Sequence, residues 1–189
     1  MTRFTRSLLA AATTFSFSAI ALAADDTIRI GFYCPLTGGS ADMGVSARNG
    51  IRLAFEEING MAGGVNGRKL ELVERDDLAN PEHAKKVVEE LIQKEKVVAT
   101  MGVCNTGVGL ATIDAFQTAK VPLIVPVSTG TPLTKKFAGA PENWIFRVSP
   151  RDEVQAPFIV ADALKRGFRK IALFADTSGY GEAGKNDVE

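Results

Sequence analysis

Histidine occurs once in this 189-residue chain, at His83, and cysteine twice, at Cys34 and Cys104. A single histidine leaves no His-based metal cluster and weakens any Ser-His-Asp arrangement. Neither charge sign is in excess, with 22 basic and 22 acidic residues. No basic stripe is present to grip nucleic acid, and no polybasic cluster to hold anionic lipid. Nucleotide motifs are missing too. No G-x-x-x-x-G-K-[ST] occurs, and Gly107-Val108-Gly109 lacks the G-x-G-x-x-G spacing and its distal acid. No G-x-S-x-G elbow supports an exported hydrolase. These gaps argue against an enzyme, a cofactor and a nucleic-acid partner, and they leave binding without chemistry.

The one long apolar run lies at the start. Arg3 and Arg6 form a basic region, residues 7–22 are apolar and Ala-rich, and Ala21-Leu22-Ala23 is an A-x-A cleavage pattern. Thr13, Thr14, Ser16 and Ser18 interrupt the run and Asp25-Asp26 follow it, which disfavours a membrane span. The reading is a signal peptide over 1–23 and an exported, periplasmic product with no direct membrane insertion after cleavage.

From residue 27 on, strand and helix patterns alternate. Strands are expected over 27–33, 69–75, 97–103, 121–127 and 144–148. Helices are expected over 45–59, 81–94 and 107–120. Ala47, Ile51, Ala54, Phe55 and Ile58 mark the inner face of the first helix, and Val108, Ala111, Ala115, Phe116 and Ala119 that of the third. Asn80-Pro81 supplies an N-cap and first-turn pair. The run 97–103 is apolar throughout, as in a strand buried on both faces of a parallel sheet. This order predicts an α/β, doubly wound parallel sheet with right-handed crossovers.

A first α/β lobe is assigned to 24–148. Ser149-Pro150-Arg151-Asp152 reads as a capping box that opens a helix to about residue 166, and a strand over 171–175 and a further helix follow. The 149–189 segment is thus the start of a second α/β lobe, and the chain is expected to be a fragment.

Ligands of open α/β sheets bind beyond the carboxyl ends of the strands, at the switch point. Three segments converge there: 34–44, 104–109 and 127–131. Asn105, Thr106 and Gly107 open a helix whose free N–H groups suit a carboxylate, although either polar side chain could simply cap that helix. Val127, Ser128 and Thr129 form a second candidate segment, for which an ST-turn is the alternative. Asp76-Asp77 closes a strand without partner carboxylates at ligand spacing, which favours a structural role. His83 is read as solvated and Trp144 as core. Spacing alone leaves Cys34 and Cys104 open, either as a disulfide or as two small buried hydrophobes. The second reading is preferred, because spacing cannot set the Cα separation a bridge needs.

Pro35-Leu36-Thr37-Gly38 with Gly44, Ile58-Asn59, Gly63-Gly64-Val65-Asn66-Gly67-Arg68 and Asp76-Asp77 together resemble the opening of the branched-chain amino-acid-type solute-binding proteins of ABC importers. These have the two-lobed periplasmic-binding fold of type I. The resemblance runs from about Thr27 to Glu189 and covers the first lobe and the start of the second. It implies a small-molecule ligand, a branched-chain amino acid first and an amide, urea or carboxylate as alternatives. It also implies a membrane permease as partner, with a sensor ectodomain as the rival role. By the same resemblance, Thr129 supplies a hydroxyl to the ligand and Tyr180, before Gly181, covers it. Met43 stands where an aromatic is usual and Asn105 where a serine is usual. The acid for an ammonium group is expected in the second lobe beyond Glu189. The family's disulfide has its first cysteine just after the Asp-Asp pair, where this chain has Leu78-Ala79-Asn80, so only Cys104 matches and that bridge does not carry over.

Overall fold

The computed structural model describes residues 27–61 and 63–189; the signal-peptide reading of 1–23 lies outside them. Five strands form one sheet: β1 (Thr27–Cys34), β2 (Lys69–Asp76), β3 (Ala99–Gly102), β4 (Leu123–Val125) and β5 (Ile145–Arg147). Their order is β2-β1-β3-β4-β5 and every pairing is parallel. This is the doubly wound order that places the switch point between β1 and β3.

Among the described residues, six helices connect or follow the strands: α1 (Ala41–Met61), α2 (Pro81–Glu89, continued by a π turn over Glu90–Lys94), α3 (Thr106–Ala119), α4 (Pro132–Lys135), α5 (Asp152–Lys165) and α6 (Gly179–Val188). The start of α2 follows from its sequence. The Asn80 side chain accepts from the His83 N–H at 2.9 Å, and Pro81 gives up an N–H that the first turn has no use for.

Successive strand side chains point to opposite faces, so β1 feeds two cores. Tyr33 joins Val88, Leu91, Val108, Ile113, Phe116 and Leu123 between the sheet and the α2–α3 layer. Its ring stacks on Phe116 with centroids 5.8 Å apart, and its hydroxyl meets that of Thr112 at 2.9 Å. Phe32 and Cys34 face the other way, with Cys104, Ala47, Ile51 and Leu72 under α1. Burial of Phe116 contributes about 1.5–3 kcal/mol, as for other large apolar side chains.

Several expectations are corrected. The segment 171–175 forms no ladder, because a strand needs a neighbour to accept its N–H groups; Phe174 there is 96% exposed. Strands β3 to β5 are shorter than their apolar runs, and Val98 is exposed beside buried Val97. Helix α3 turns Gly109, Thr112 and Ile113 inward and leaves Ala115 and Ala119 exposed, since Gly109 lets the helix close on Val103 and Leu133 while Ile113 joins Phe116 in the core. Helix α1 begins at Ala41, four residues early, and leaves Ala54 and Ile58 exposed. Ser149 does not cap α5. Arg151 stands at that N-cap, and the Ser149 hydroxyl donates to the Ser128 carbonyl at 2.6 Å. His83 and Trp144 are both half-buried, and α4 had no sequence counterpart.

Candidate functional site

The carboxyl ends of β1, β3 and β4 lie side by side, and the loops leaving them form one surface. Cys34 and Cys104 are bonded there, with Cα atoms 5.4 Å apart. The preference for two unlinked hydrophobes is therefore overturned. Register pairs Tyr33 with Gly102, which brings the two following segments to within reach of a bridge. The disulfide ties the β1–α1 loop to the residue before Asn105.

Asp76 fixes the first loop. Its carboxylate accepts from the Leu36 N–H at 2.9 Å, the Thr37 hydroxyl at 2.6 Å and the Leu78 N–H at 2.9 Å. Burial works against the charge, but these donors hold its pKa below the usual carboxylate value. Gly44 completes this loop, since a Cβ there would collide with the Pro35 carbonyl. Asp77 is the opposite case. It is fully buried, takes one hydrogen bond from the Ala79 N–H at 2.9 Å, and leaves Oδ2 without a partner. Burial lifts its pKa to about 6, with the Asp76 charge adding to the rise and the Ala79 N–H and His83 opposing it.

Asn105 is the N-cap of α3, yet its side chain makes no capping hydrogen bond, and Oδ1 is buried without a partner. The first N–H groups of α3 have no intrahelical acceptor, which makes this end of the helix suited to an anion. Thr106 and Ser128 are both buried and share a 2.7 Å hydroxyl contact. The Ser128 N–H donates to the Val103 carbonyl at 3.2 Å. Val127 packs on the cluster around Cys104. Arg147 grips the next turn, with Nη1 on the Thr129 carbonyl at 3.0 Å and Nη2 on that of Gly130 at 2.7 Å.

Helix α6 enters over this surface. Gly179 and Gly107 approach so closely that a Cβ on Gly179 would lie 2.9 Å from the Gly107 Cα. Tyr180, half exposed, follows at once, and the Thr131 hydroxyl donates to Asp187 at 2.7 Å. Thr129 and Tyr180 line one cavity of about 560 Å³ together with Asp152 and Gln155. The structure thus gathers Asn105, Thr106, Gly107, Val127, Ser128 and Thr129 on adjacent strand ends and brings Tyr180 beside them. Asn105, Thr106, Gly107, Val127 and Ser128 do not line the cavity, and Met43 stands further apart, exposed on the first turn of α1. Sequence reasoning missed Asp152, which it had read only as the end of a capping box, and Arg147, for which no local signal existed. Among the described residues, no group of His, Cys, Asp and Glu could hold a metal ion, and no helix is long and apolar enough to cross a membrane.

A parallel sheet with helix N-termini and short polar loops gathered at its switch point defines a small-molecule-binding α/β protein. Residues 27–189 match the family model of periplasmic binding proteins, and the chain belongs to that family. It is 32% identical over 185 residues to the leucine-, isoleucine-, valine-, threonine- and alanine-binding protein of Pseudomonas aeruginosa, an alignment covering 96% of this chain and 47% of that protein. Among solved structures it resembles a leucine-binding protein of Thermotoga maritima (TM-score 0.76, 28% identity, 85% of this chain and 44% of that one). It also resembles an ABC-transporter solute-binding protein of Rhodopseudomonas palustris in complex with 3,4-dihydroxybenzoic acid (TM-score 0.72, 30% identity, 86% and 44%). The chain spans about half the length of these relatives. Family and relatives are binding proteins and not enzymes.

Proposed function

We propose that this protein captures a small amino acid, branched-chain types first, for an ABC importer. It would act in the periplasm after signal cleavage and hand the ligand to a membrane permease. The observation that supports this reading is the start of α3, where Asn105 makes no side-chain cap and its Oδ1 is buried without a partner. That helix start follows the disulfide cysteine Cys104 directly, at the switch point of the sheet. Backbone N–H groups of α3 and the Thr129 hydroxyl would take the ligand carboxylate and ammonium, and Tyr180 would cover the ligand. Residues 24–148 would act as one lobe and 149–189 as the opening of another, closing by a hinge motion. The names of the relatives support the amino-acid class.

Thermal unfolding with a panel of amino acids and small carboxylates tests this. A ligand bound only by the folded state raises the melting temperature. A rise with leucine, isoleucine or valine is the expected result. No rise with any member of the panel would refute the reading. An aromatic carboxylate is the second candidate, favoured by the dihydroxybenzoate-bound relative. A rise with dihydroxybenzoate and none with amino acids would select it.

A further inference from the structure

The turn that follows β2 fixes the β1–α1 loop and is built around a buried acid. Asp77 is fully buried, and its Oδ2 has no hydrogen-bond partner. Its backbone ties that turn to its neighbours. The N–H donates to the Cys34 carbonyl at 3.2 Å, and the carbonyl accepts from the N–H of Asn80, the N-cap of α2, at 2.9 Å. Asp76, one residue earlier, holds the Leu36 N–H and the Thr37 hydroxyl. Residues 76–80 therefore grip the β1–α1 loop and enclose the Asp77 carboxylate at once.

The same turn is strained. Leu78 has a φ of 56° and Ala79 one of 52°, in the left-handed region that side chains disfavour. Opening the turn would relieve both residues, let Oδ2 reach water and release Leu36 and Thr37 together. Ionisation of Asp77 favours that opening, because a charge without a donor costs more to enclose than a neutral carboxyl does.

Few other titrating groups face Asp77. Asp76 on β2 and His83 on α2 act on it with opposite sign. On β1, the Tyr33 phenol feels the Asp77 charge, and its own burial keeps it protonated. Strand β3 carries no titratable residue, and Asp114 of α3 is turned to Lys136. Glu82 and Lys85 of α2 pair with each other at the surface.

We propose that the 76–80 turn is a pH-responsive clamp: with Asp77 protonated it holds the β1–α1 loop, and with Asp77 ionised it opens more often and frees Leu36 and Thr37. The direction follows from linkage. Burial, with a smaller push from Asp76, raises the pKa of Asp77 from 3.8 to about 6 in the closed turn. Closure is thus fully favoured below pH 3.8, and the advantage is lost as pH rises through about 6. A difference of roughly two pH units corresponds to about a hundredfold in the opening equilibrium.

Amide hydrogen exchange of the full chain, followed by NMR and corrected for the intrinsic effect of pH on exchange, tests this at Leu36, Asp77, Leu78, Ala79 and Asn80. Their protection should fall on the order of a hundredfold between pH 4 and pH 7.5. Low urea concentrations should change it little, since a local opening exposes little surface. Asp77→Asn should flatten the pH profile, and His83→Gln should retain it. Asp77→Ser serves in place of Asp77→Asn if circular dichroism shows that the amide variant does not fold. Protection that is independent of pH in the wild type overturns the proposal. So does a profile that survives loss of the Asp77 carboxyl or disappears with His83. Exchange of the turn only together with the core amides of Ile113 and Phe116, at every urea concentration, also overturns it, because the turn would then open only on global unfolding. The measurement uses no ligand, so its outcome is independent of the binding reading above.

Discussion

Replacing Asp77 by asparagine should stabilise this protein at neutral pH and above, and not in acid. Asp77 is fully buried at the end of β2, with Oδ2 unpaired, and its pKa is raised from 3.8 to about 6. The folded state therefore holds the proton more tightly than the unfolded state. Stability from this group is fully present below pH 3.8 and is lost as pH rises through about 6. A difference of roughly two pH units, at about 1.4 kcal/mol each, comes to about 3 kcal/mol. Asparagine keeps an oxygen for the Ala79 N–H and carries no charge to bury. Denaturant unfolding followed by circular dichroism from pH 4 to pH 8 reads the effect. The variant should match the wild type within about 1 kcal/mol at pH 4 and exceed it by about 3 kcal/mol at pH 8. Asp76→Asn is the control of opposite sign. Its pKa is depressed, so the wild-type advantage is present above the unfolded pKa and vanishes as pH falls through the folded one. A stability difference between wild type and Asp77→Asn that stays flat across this range would refute the reasoning.

Two further outcomes follow from the packing. Loss of the disulfide in Cys34→Ala/Cys104→Ala releases a crosslink spanning 70 residues, and chemical unfolding should register a loss of about 4 kcal/mol. Phe116→Ala removes a fully buried ring stacked on Tyr33 and should cost about 3–5 kcal/mol in the same assay, with near-ultraviolet dichroism reporting the change around Tyr33.

Much of the first 148 residues was legible from local pattern. The period-2 and period-3.6 signals of β1, β2 and α2 depend on which residues face a sheet, and that choice is written in the sequence itself. The Asn80-Pro81 start of α2 was equally plain, because capping involves atoms within three residues of one another. The candidate ligand segments followed from the order of strands and helices, since a parallel sheet places the carboxyl ends of its strands together. Where local pattern misled, a distant partner was decisive. The run 171–175 has strand composition but no paired strand among the described residues, and α3 is rotated so that Ile113 joins Phe116 in the core.

The sequence by itself determined the alternation of elements, the parallel topology and the polar segments at the strand ends, all of which arise from local periodicity and chain connectivity. Tertiary structure alone decided which of those residues share an environment. Cys34 and Cys104 lie 70 residues apart and are joined because β1 and β3 are neighbours. Asp76 and Asp77 are the same residue type side by side, yet one carboxylate is satisfied by three donors and the other is buried with an oxygen unpaired. Asp152 meets Thr129 only because α5 starts where its N–H reaches the Thr129 carbonyl. Burial and hydrogen bonding are properties of the whole packed molecule, and no window of the sequence contains them.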